Sequence, residues 1–176
     1  MEMDPANTGR KQGGDVNMNT MLNPKGRIGP ATFRNAALIL IAIGAVLSLA
    51  PLLNPMLALL GILGLVLIWP WVVIWVKRFH DAGKSGWLFL VVLVLWLIVS
   101  LCVGMYLSAQ FAPATPDLAG STDFAAIMAA MTEQMSATVV PSTIASVVIS
   151  LVFVLGANAV LKSDPGPNAY GPPPAQ

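Results

Sequence analysis

The segment GILGLVLIWPWVVIWVKRFHDAGKSGWLFLVVLVLWLIVSL, residues 61–101, decides the fold of this chain. Its centre, KRFHDAGKSGW at residues 77–87, is a polar turn between two long apolar runs, residues 56–76 and 88–107. The turn also contains His80, the only histidine of the protein. A membrane helix needs about 20 apolar residues at about 1.5 Å each. The segment therefore predicts two membrane helices that are joined by a short polar hinge.

The composition of the whole chain agrees with a membrane protein. Hydrophobic residues make up 56% of the 176 residues and charged residues only 10%, whereas soluble domains carry roughly 25% charged residues. The single cysteine, Cys102, lies within an apolar run, which leaves neither a disulfide framework nor a cysteine metal cluster. The formal net charge is +1. We expect the lipid bilayer to be the main partner, and we expect no cofactor, no metal and no nucleic acid.

Four apolar runs are long enough to span a membrane, and none has a charge in its interior. Lipid offers no hydrogen-bond partner to an open backbone group, so each run is expected to be a helix. We predict an all-α fold, an integral membrane four-helix bundle, within a domain of residues 23–174. The predicted spans are residues 35–53, 56–76, 87–107 and 139–161. The flanking segments are predicted to be a disordered cytosolic tail at 1–22 and a Pro/Gly-rich cytosolic tail at 162–176.

The positive charges give the expected orientation of the spans. Four spans place all nine basic residues on one side of the membrane, and the other side has none. These residues are Arg10, Lys11, Lys25, Arg27, Arg34, Lys77, Arg78, Lys84 and Lys162. Because loops rich in Lys and Arg stay in the cytosol, both termini and the His80 turn are predicted to be cytosolic.

The outer connection, residues 108–138, is too long for a simple turn. Its first part is rich in proline and glycine and is expected to be irregular. Ser121, Thr122 and Asp123 then supply helix-capping chemistry, and apolar side chains follow at helical spacing from 124 to 135. We predict a short amphipathic helix in this outer loop, packed as a lid over the bundle. A partner-binding surface is the alternative.

Two patterns within the spans predict contacts between helices. Ser100, Gly104 and Ser108 lie on one face of the third span, and serines at 142, 146 and 150 lie on one face of the fourth. Small residues let helices approach closely in lipid, so the two stripes are expected to face each other. Asn158 is the strongest polar group inside a span. We expect it to form a hydrogen bond between helices.

Three kinds of chemistry could be assigned to the polar hinge from its residues. A phosphate loop needs a glycine five positions before Gly83, and Arg78 stands there. A metal site at His80 and Asp81 lacks a second histidine or an accessible cysteine. A nucleophilic Ser85 with His80 and Asp81 would lie within one short turn, without an evident oxyanion hole. We therefore expect that the protein is not an enzyme.

A structural interpretation explains more of the hinge. We expect the second helix to run to about Ala82 and to stop at Gly83 in the left-handed conformation. Ser85 is expected to cap the third helix, Gly86 to permit a tight turn, and Trp87 to anchor at the level of the lipid headgroups. The cationic groups here also suit anionic lipid headgroups at the cytosolic face.

Three motifs resemble those of a known family, the domain of unknown function 805 family of small bacterial inner-membrane proteins. Gly26-Arg27-Ile28 with Phe33 is similar to its entry motif, residues 77–87 to its signature turn, and residues 166–174 to its C-terminal motif. The chain departs from the entry motif at Pro30, because the family usually has a second arginine soon after the first. The resemblance implies a multi-spanning plasma-membrane protein and implies no reaction.

The three motifs are all expected at the cytosolic face, where they can meet. We predict that Asn168 and Tyr170 form hydrogen bonds to the arginines and to the His80–Asp81 turn, with a free solvated tail as the alternative. The candidate residues are Gly26, Arg27, Phe33, Arg78, His80, Asp81, Gly83, Ser85, Gly86, Trp87, Asn168, Tyr170 and Gly171. The expected function is a non-catalytic structural or interaction module, with a membrane-protein partner or a homo-oligomer. A small channel or transporter, as a single chain or as an oligomer, is the alternative.

Overall fold

The computed structural model describes residues 14–111 and 122–174, and the fold of these residues is all-α, as predicted. The helices are α1 (Met18–Leu22), α2 (Pro30–Leu49), α3 (Leu63–Asp81), α4 (Phe89–Phe111) and α5 (Phe124–Val160). Short 3-10 helices at Ala50–Leu52, Pro55–Ile62 and Gly86–Leu88 lie between them. The predictions for residues 1–13, 112–121 and 175–176 lie outside the described residues.

Helices α2 to α5 pack as a four-helix bundle. Helix α2 lies between α3 and α5, and α5 also packs against α4. Helix α3 touches α4 mainly through the hinge turn Gly86–Leu88, so this side of the bundle is the least closely packed. One end of the bundle contains the start of α2, the end of α3, the start of α4 and the end of α5. We call it the motif end, and the opposite end the far end.

The membrane-spanning runs are longer than predicted at the motif end. Helix α2 starts at Pro30 rather than at residue 35, since Pro30 suits the first helical position and Gly29 precedes it in an extended conformation. Helix α3 continues to Asp81, close to the predicted stop. The apolar runs 30–52, 56–81, 86–111 and 124–160 each have the length and composition to cross a membrane. The four predicted spans are thus present as helices.

The prediction of a disordered tail up to residue 22 is wrong for its last residues. Residues 18–22 form α1, and Asn17 caps this helix by accepting from the backbone N–H of Thr20 at 2.9 Å. Lys77 of α3 donates to the carbonyl of Asn19 at 3.2 Å, and the Trp69 indole donates to the carbonyl of Leu22 at 3.0 Å. Two side chains of α3 therefore hold α1 through the backbone carbonyls of α1. The sequence of α1 itself gives no sign of this contact.

The predicted outer helix is not a separate element. Residues 124–135 are helical, as expected, but they are the first turns of the single 37-residue helix α5. This helix continues without a break through Pro141. At about 1.5 Å per residue α5 is about 55 Å long, well beyond the roughly 30 Å hydrocarbon core of a bilayer. Its first turns therefore extend past the far end of the bundle.

The lid prediction is wrong for the same segment. The apolar side chains of its predicted packing face are open, with Phe124 74% exposed and Met135 57% exposed. Asp123 caps the helix, as predicted, by accepting from the backbone N–H groups of Ala125 and Ala126. The capping chemistry was thus identified correctly, whereas the partner of the apolar face was not.

The closest packing lies near the motif end. Phe33 of α2 is fully buried and packs edge-on against Trp75 of α3, with ring centroids 4.9 Å apart. Ala36 and Ala37 are also fully buried, which lets α2 approach its neighbours closely. Elsewhere large apolar side chains point outward along every long helix, as expected for helices that face lipid. The bundle is thus tightest where the three motifs meet.

The small-residue stripes do not form a tight seam along their full length. A Cβ added at Gly104 would meet no atom within 4 Å, so no neighbouring helix approaches there. Ser146 is exposed. Helices α4 and α5 do pack against each other, and Ser100 Oγ is buried without a hydrogen-bond partner among the described residues. The expected pairing of the two helices is confirmed, whereas close approach at Gly104 is not.

Candidate functional site

The candidate site begins where α3 ends. Gly83 has φ +67°, the left-handed conformation that glycine adopts without strain, as predicted. Its N–H donates to the carbonyl of His80 at 3.1 Å, and the N–H of Lys84 donates to the carbonyl of Phe79 at 2.9 Å. These two bonds are the Schellman motif, which satisfies the last carbonyls of a helix. The motif fixes the direction in which the chain leaves α3 after Asp81.

Asp81 is the centre of the site. Its side chain is fully buried, and it accepts from Arg78 at 2.7 Å through one oxygen and from Arg27 at 3.2 Å through the other. Ser163, just after α5, donates to the same oxygen as Arg78 at 2.5 Å. A buried carboxylate is stable only when it is paired and hydrogen-bonded, and both conditions are met here. Asp81 thus ties the first motif, the hinge and the chain after α5 together.

Arg27 connects the hinge to the C-terminal tail. Besides Asp81, its guanidinium donates to the carbonyl of Gly166 at 2.7 Å, to that of Gly171 at 3.3 Å and to that of Asp164 at 2.5 Å. The planar fork of arginine suits this role, because its five N–H groups point in fixed directions. Arg27 therefore binds the tail through the backbone carbonyls of the tail rather than through its side chains.

Arg78 connects the hinge to the end of α5. The residue is fully buried, and its Nε donates to Asn158 Oδ1 at 3.1 Å. The guanidinium also donates to the carbonyl of Leu161 and to the hydroxyl of Ser163. Asn158 in turn donates to the carbonyl of Pro30 at 3.2 Å. The predicted interhelical role of Asn158 is confirmed, because this one amide links α5 to both α2 and α3.

His80 lies between the first motif and the tail. Its Nδ1 is 3.2 Å from the carbonyl oxygen of Gly26, so Nδ1 carries a proton, since a carbonyl only accepts. The imidazole is stacked on the ring of Tyr170, with centroids 3.7 Å apart and planes 5° from parallel. Asn168 donates to the backbone carbonyl of His80 at 3.0 Å. Tyr170 thus contacts the hinge by stacking, and not by the hydrogen bond that we predicted.

The tail is shaped by a tight turn. Asn168 and Gly171 exchange two backbone hydrogen bonds, of 3.1 and 3.0 Å, and Gly171 has φ +122°. The side chain of Asn168 also accepts from the N–H of Tyr170 at 2.9 Å. Upstream, the N–H of Asp164 donates to the carbonyl of Asp81 at 2.8 Å. The segment after α5 is therefore docked on the hinge, and the free-tail alternative does not hold for the described residues up to 174.

Gly86 permits a close approach rather than only a turn. A Cβ at this position would lie 2.7 Å from Val76 Cγ1 and 3.1 Å from His80 Nε2. Ser85 caps the following 3-10 helix by accepting from the N–H of Trp87, as predicted, with a long distance of 3.4 Å. Trp87 itself is 79% exposed and points away from the cluster. The hinge thus has an inner side that packs and an outer side that is open.

The structure brings together most of the predicted residues. Those in contact at the site are Gly26, Arg27, Arg78, His80, Asp81, Gly83, Gly86, Asn168, Tyr170 and Gly171. Phe33 lies in the apolar core below the site, and Ser85 and Trp87 lie on its open outer side. Lys77, in the last turns of α3, binds α1 and not the cluster.

The sequence did not single out Ser163, Asp164 and Gly166. Ser163 reaches the Asp81 carboxylate through its hydroxyl, and the other two contribute backbone carbonyls to Arg27. A backbone carbonyl is the same in every residue type, which explains why no role was predicted for Asp164 and Gly166. The only available signal was their place immediately after the last apolar run.

The Asp81 carboxylate is bonded to the two arginines and to Ser163 rather than to His80 among the described residues. A histidine that activates a serine needs such an orienting partner. Among the described residues no group of three His, Cys, Asp or Glu side chains could hold a metal ion. The polar groups of the cluster are instead bonded to one another.

Four apolar helices of membrane-spanning length indicate a membrane protein. A family model described as "Protein of unknown function (DUF805)" matches residues 21–172, and the chain belongs to this family. The resemblance seen in the motifs is thereby confirmed. No curated protein and no solved structure matches the chain. The family description assigns no activity, so the function is argued from the geometry of the site.

Proposed function

We propose that this protein is a non-catalytic structural or interaction module of the bacterial plasma membrane. The proposal is supported by the hydrogen bonds that the polar groups at the motif end form. The guanidinium groups of Arg27 and Arg78 and the carboxylate of Asp81 bond to one another and to the tail. An active site or a transport pathway needs polar groups that face a substrate. Here the same groups hold four chain segments together.

The distribution of charge supports a cytosolic motif end. The nine basic residues precede α2 or lie in its first turns, lie in the hinge, or follow α5. By the positive-inside rule, this distribution supports a motif end and two termini that lie in the cytosol. The first turns of α5 would consequently extend into the extracytoplasmic space.

The open side of the motif end offers a surface for partners. Four cations at this end are exposed and form no ion pair among the described residues. They are Lys25, Arg34, Lys84 and Lys162. Each cation near a negatively charged leaflet contributes about 1 kcal/mol of attraction. We propose that these cations, with Trp87, contact anionic lipid headgroups and leave the hinge surface accessible to a membrane-protein partner or a second copy.

The orientation is tested by labelling single cysteines in whole cells. The Cys102→Ala variant supplies a background without thiols, into which Ser85→Cys at the hinge or Ser136→Cys on the α5 extension is introduced. Both positions are exposed. A membrane-impermeant maleimide should label position 136 in intact cells and position 85 only after lysis. The reverse pattern would overturn the proposed orientation.

The functional class is tested by two measurements on the full chain. A photoreactive amino acid in place of Trp87, irradiated in native membranes, should form discrete adducts with anionic lipid or with one defined protein. The same residue in place of Leu53, which is 86% exposed at the far end, is the matched control. Reconstituted vesicles should show no solute flux above that of empty vesicles. Saturable, solute-selective flux would contradict the module and favour the channel or transporter.

A further inference from the structure

The bundle contains a cleft that the proposed module does not use. It lies among all four long helices and has a volume of about 430 Å³, within the roughly 300–1,000 Å³ of typical ligand pockets. Its walls are almost entirely apolar and extend from Gly61 near the far end to Trp75 and Phe89 near the motif end. The cleft is therefore elongated along the direction of the helices, at the depth of the membrane.

Three tryptophans line this cleft: Trp71 and Trp75 of α3 and Trp96 of α4. Trp75 is only 5% exposed and lies at the end of the cleft near the motif end. The indole N–H groups of the three donate to no acceptor among the described residues, whereas Trp69, outside the cleft, donates to the carbonyl of Leu22. An indole N–H in apolar surroundings usually has a hydrogen-bond partner. The cleft thus combines apolar walls with unused donors.

Glycines keep the cleft open. Gly44, Gly61 and Gly64 line it, and a Cβ added at any of them would meet no atom within 4 Å. Close helix packing does not explain these glycines, in contrast to Gly86, where a Cβ would collide with α3. Helices α3 and α4 meet mainly at the hinge, so the cleft is flanked by the most weakly packed side of the bundle. This side faces the bilayer.

We propose that the cleft binds one acyl chain of a phospholipid from the surrounding bilayer. The chain would enter between α3 and α4 and pack along the glycine-lined wall of α2 and α3. An ester carbonyl of the same lipid, which only accepts, would receive an indole N–H at the end of the cleft near Trp75. A peptide segment is a poorer occupant, because its own N–H groups would find almost no acceptors on these walls. The bound lipid would be a structural part of the bundle.

The proposal is tested with vesicles that contain a phospholipid with a photoreactive diazirine on one acyl chain. After irradiation of the reconstituted full chain, mass spectrometry should find adducts on Trp71 and Trp96 as well as on the outward-facing Leu97. In Gly64→Leu, which fills the cleft, the adducts on the two tryptophans should fall at least tenfold while that on Leu97 persists. Gly44→Leu should act in the same way from the opposite wall.

Gly104→Leu is the matched control, because this glycine also has free space around it but lies outside the cleft. It should leave every adduct unchanged. Native mass spectrometry of the detergent-extracted wild type and of Gly104→Leu should show one retained phospholipid per chain, which Gly64→Leu loses. The proposal is overturned if the wild type has no adducts on Trp71 and Trp96, or if these adducts survive in both filled variants.

The role of the indole donors has its own measurement. Ether phospholipids lack the ester carbonyl, so they should be retained several-fold less than ester phospholipids with the same chains. Equal retention would show that the indoles do not select the lipid and would overturn that part of the proposal.

Discussion

Tyr170 lies flat on His80, with ring centroids 3.7 Å apart and planes 5° from parallel. The two residues are 90 positions apart in the chain, one in the C-terminal tail and the other at the last turn of α3. Their contact joins the tail to the hinge without using the tyrosine hydroxyl, for which no described hydrogen bond exists. The stack therefore gives a direct way to measure how firmly the tail is docked.

Tyr170→Phe should leave the tail docked, because phenylalanine keeps the stacking ring. Tyr170→Ala should weaken docking by roughly 0.5–1.5 kcal/mol, the usual strength of an aromatic pair beyond its burial. Limited proteolysis of the tail in membranes should show unchanged protection for the first variant and several-fold faster cleavage for the second. Equal cleavage of both variants would mean that the hydroxyl, and not the ring, holds the tail.

Asp81→Asn should destabilise the bundle strongly. The change leaves Arg27 and Arg78 buried without a counter-charge, and breaking a buried pair in this way costs roughly 3–5 kcal/mol. Thermal unfolding in detergent should show a large drop in Tm. Glu133→Gln, which removes an exposed carboxylate from the α5 extension, is the control and should change Tm little. A Tm for Asp81→Asn equal to that of the control would contradict the central role of this carboxylate.

Gly86→Ala should destabilise the hinge, because its Cβ would lie 2.7 Å from Val76 Cγ1. Overpacking of this kind costs roughly 1–3 kcal/mol. The double variant Val76→Ala, Gly86→Ala removes the obstructing methyl groups and should recover part of the loss. A double-mutant cycle on the free energy of unfolding measures the coupling between the two positions. Strictly additive effects would show that the close approach is not the reason for glycine at this position.

The four apolar runs, the hinge with its glycine stop and the family could all be predicted from the sequence. These features depend on local properties: uninterrupted hydrophobicity, the conformational freedom of Gly83 and the spacing of the motif residues. The meeting of the three motifs at the His80–Asp81 turn was also predicted. Most residues of the site could thus be predicted from the sequence.

The details that the sequence did not reveal depend on contacts between distant segments. Helix α1 is held by Lys77 and Trp69, whose partners are backbone carbonyls without any signature in the sequence. The continuity of α5 through Pro141 was missed because a proline usually indicates a helix start or break. The cleft was missed because its glycines matter for the space that they leave, which only the packing of four helices reveals.

The C-terminal tail docks against the entry motif, and one crosslink tests this docking directly. A Cβ at Gly29 would lie 3.8 Å from Pro174 Cγ, so cysteines at these two positions are within reach of a disulfide. In a Cys102→Ala background, Gly29→Cys with Pro174→Cys should crosslink rapidly in oxidised native membranes, and adding Tyr170→Ala should slow the reaction. Leu53→Cys with Pro174→Cys, which joins opposite ends of the bundle, should not react within one chain. A 29–174 pair that reacts no faster than the 53–174 pair would contradict the docked tail.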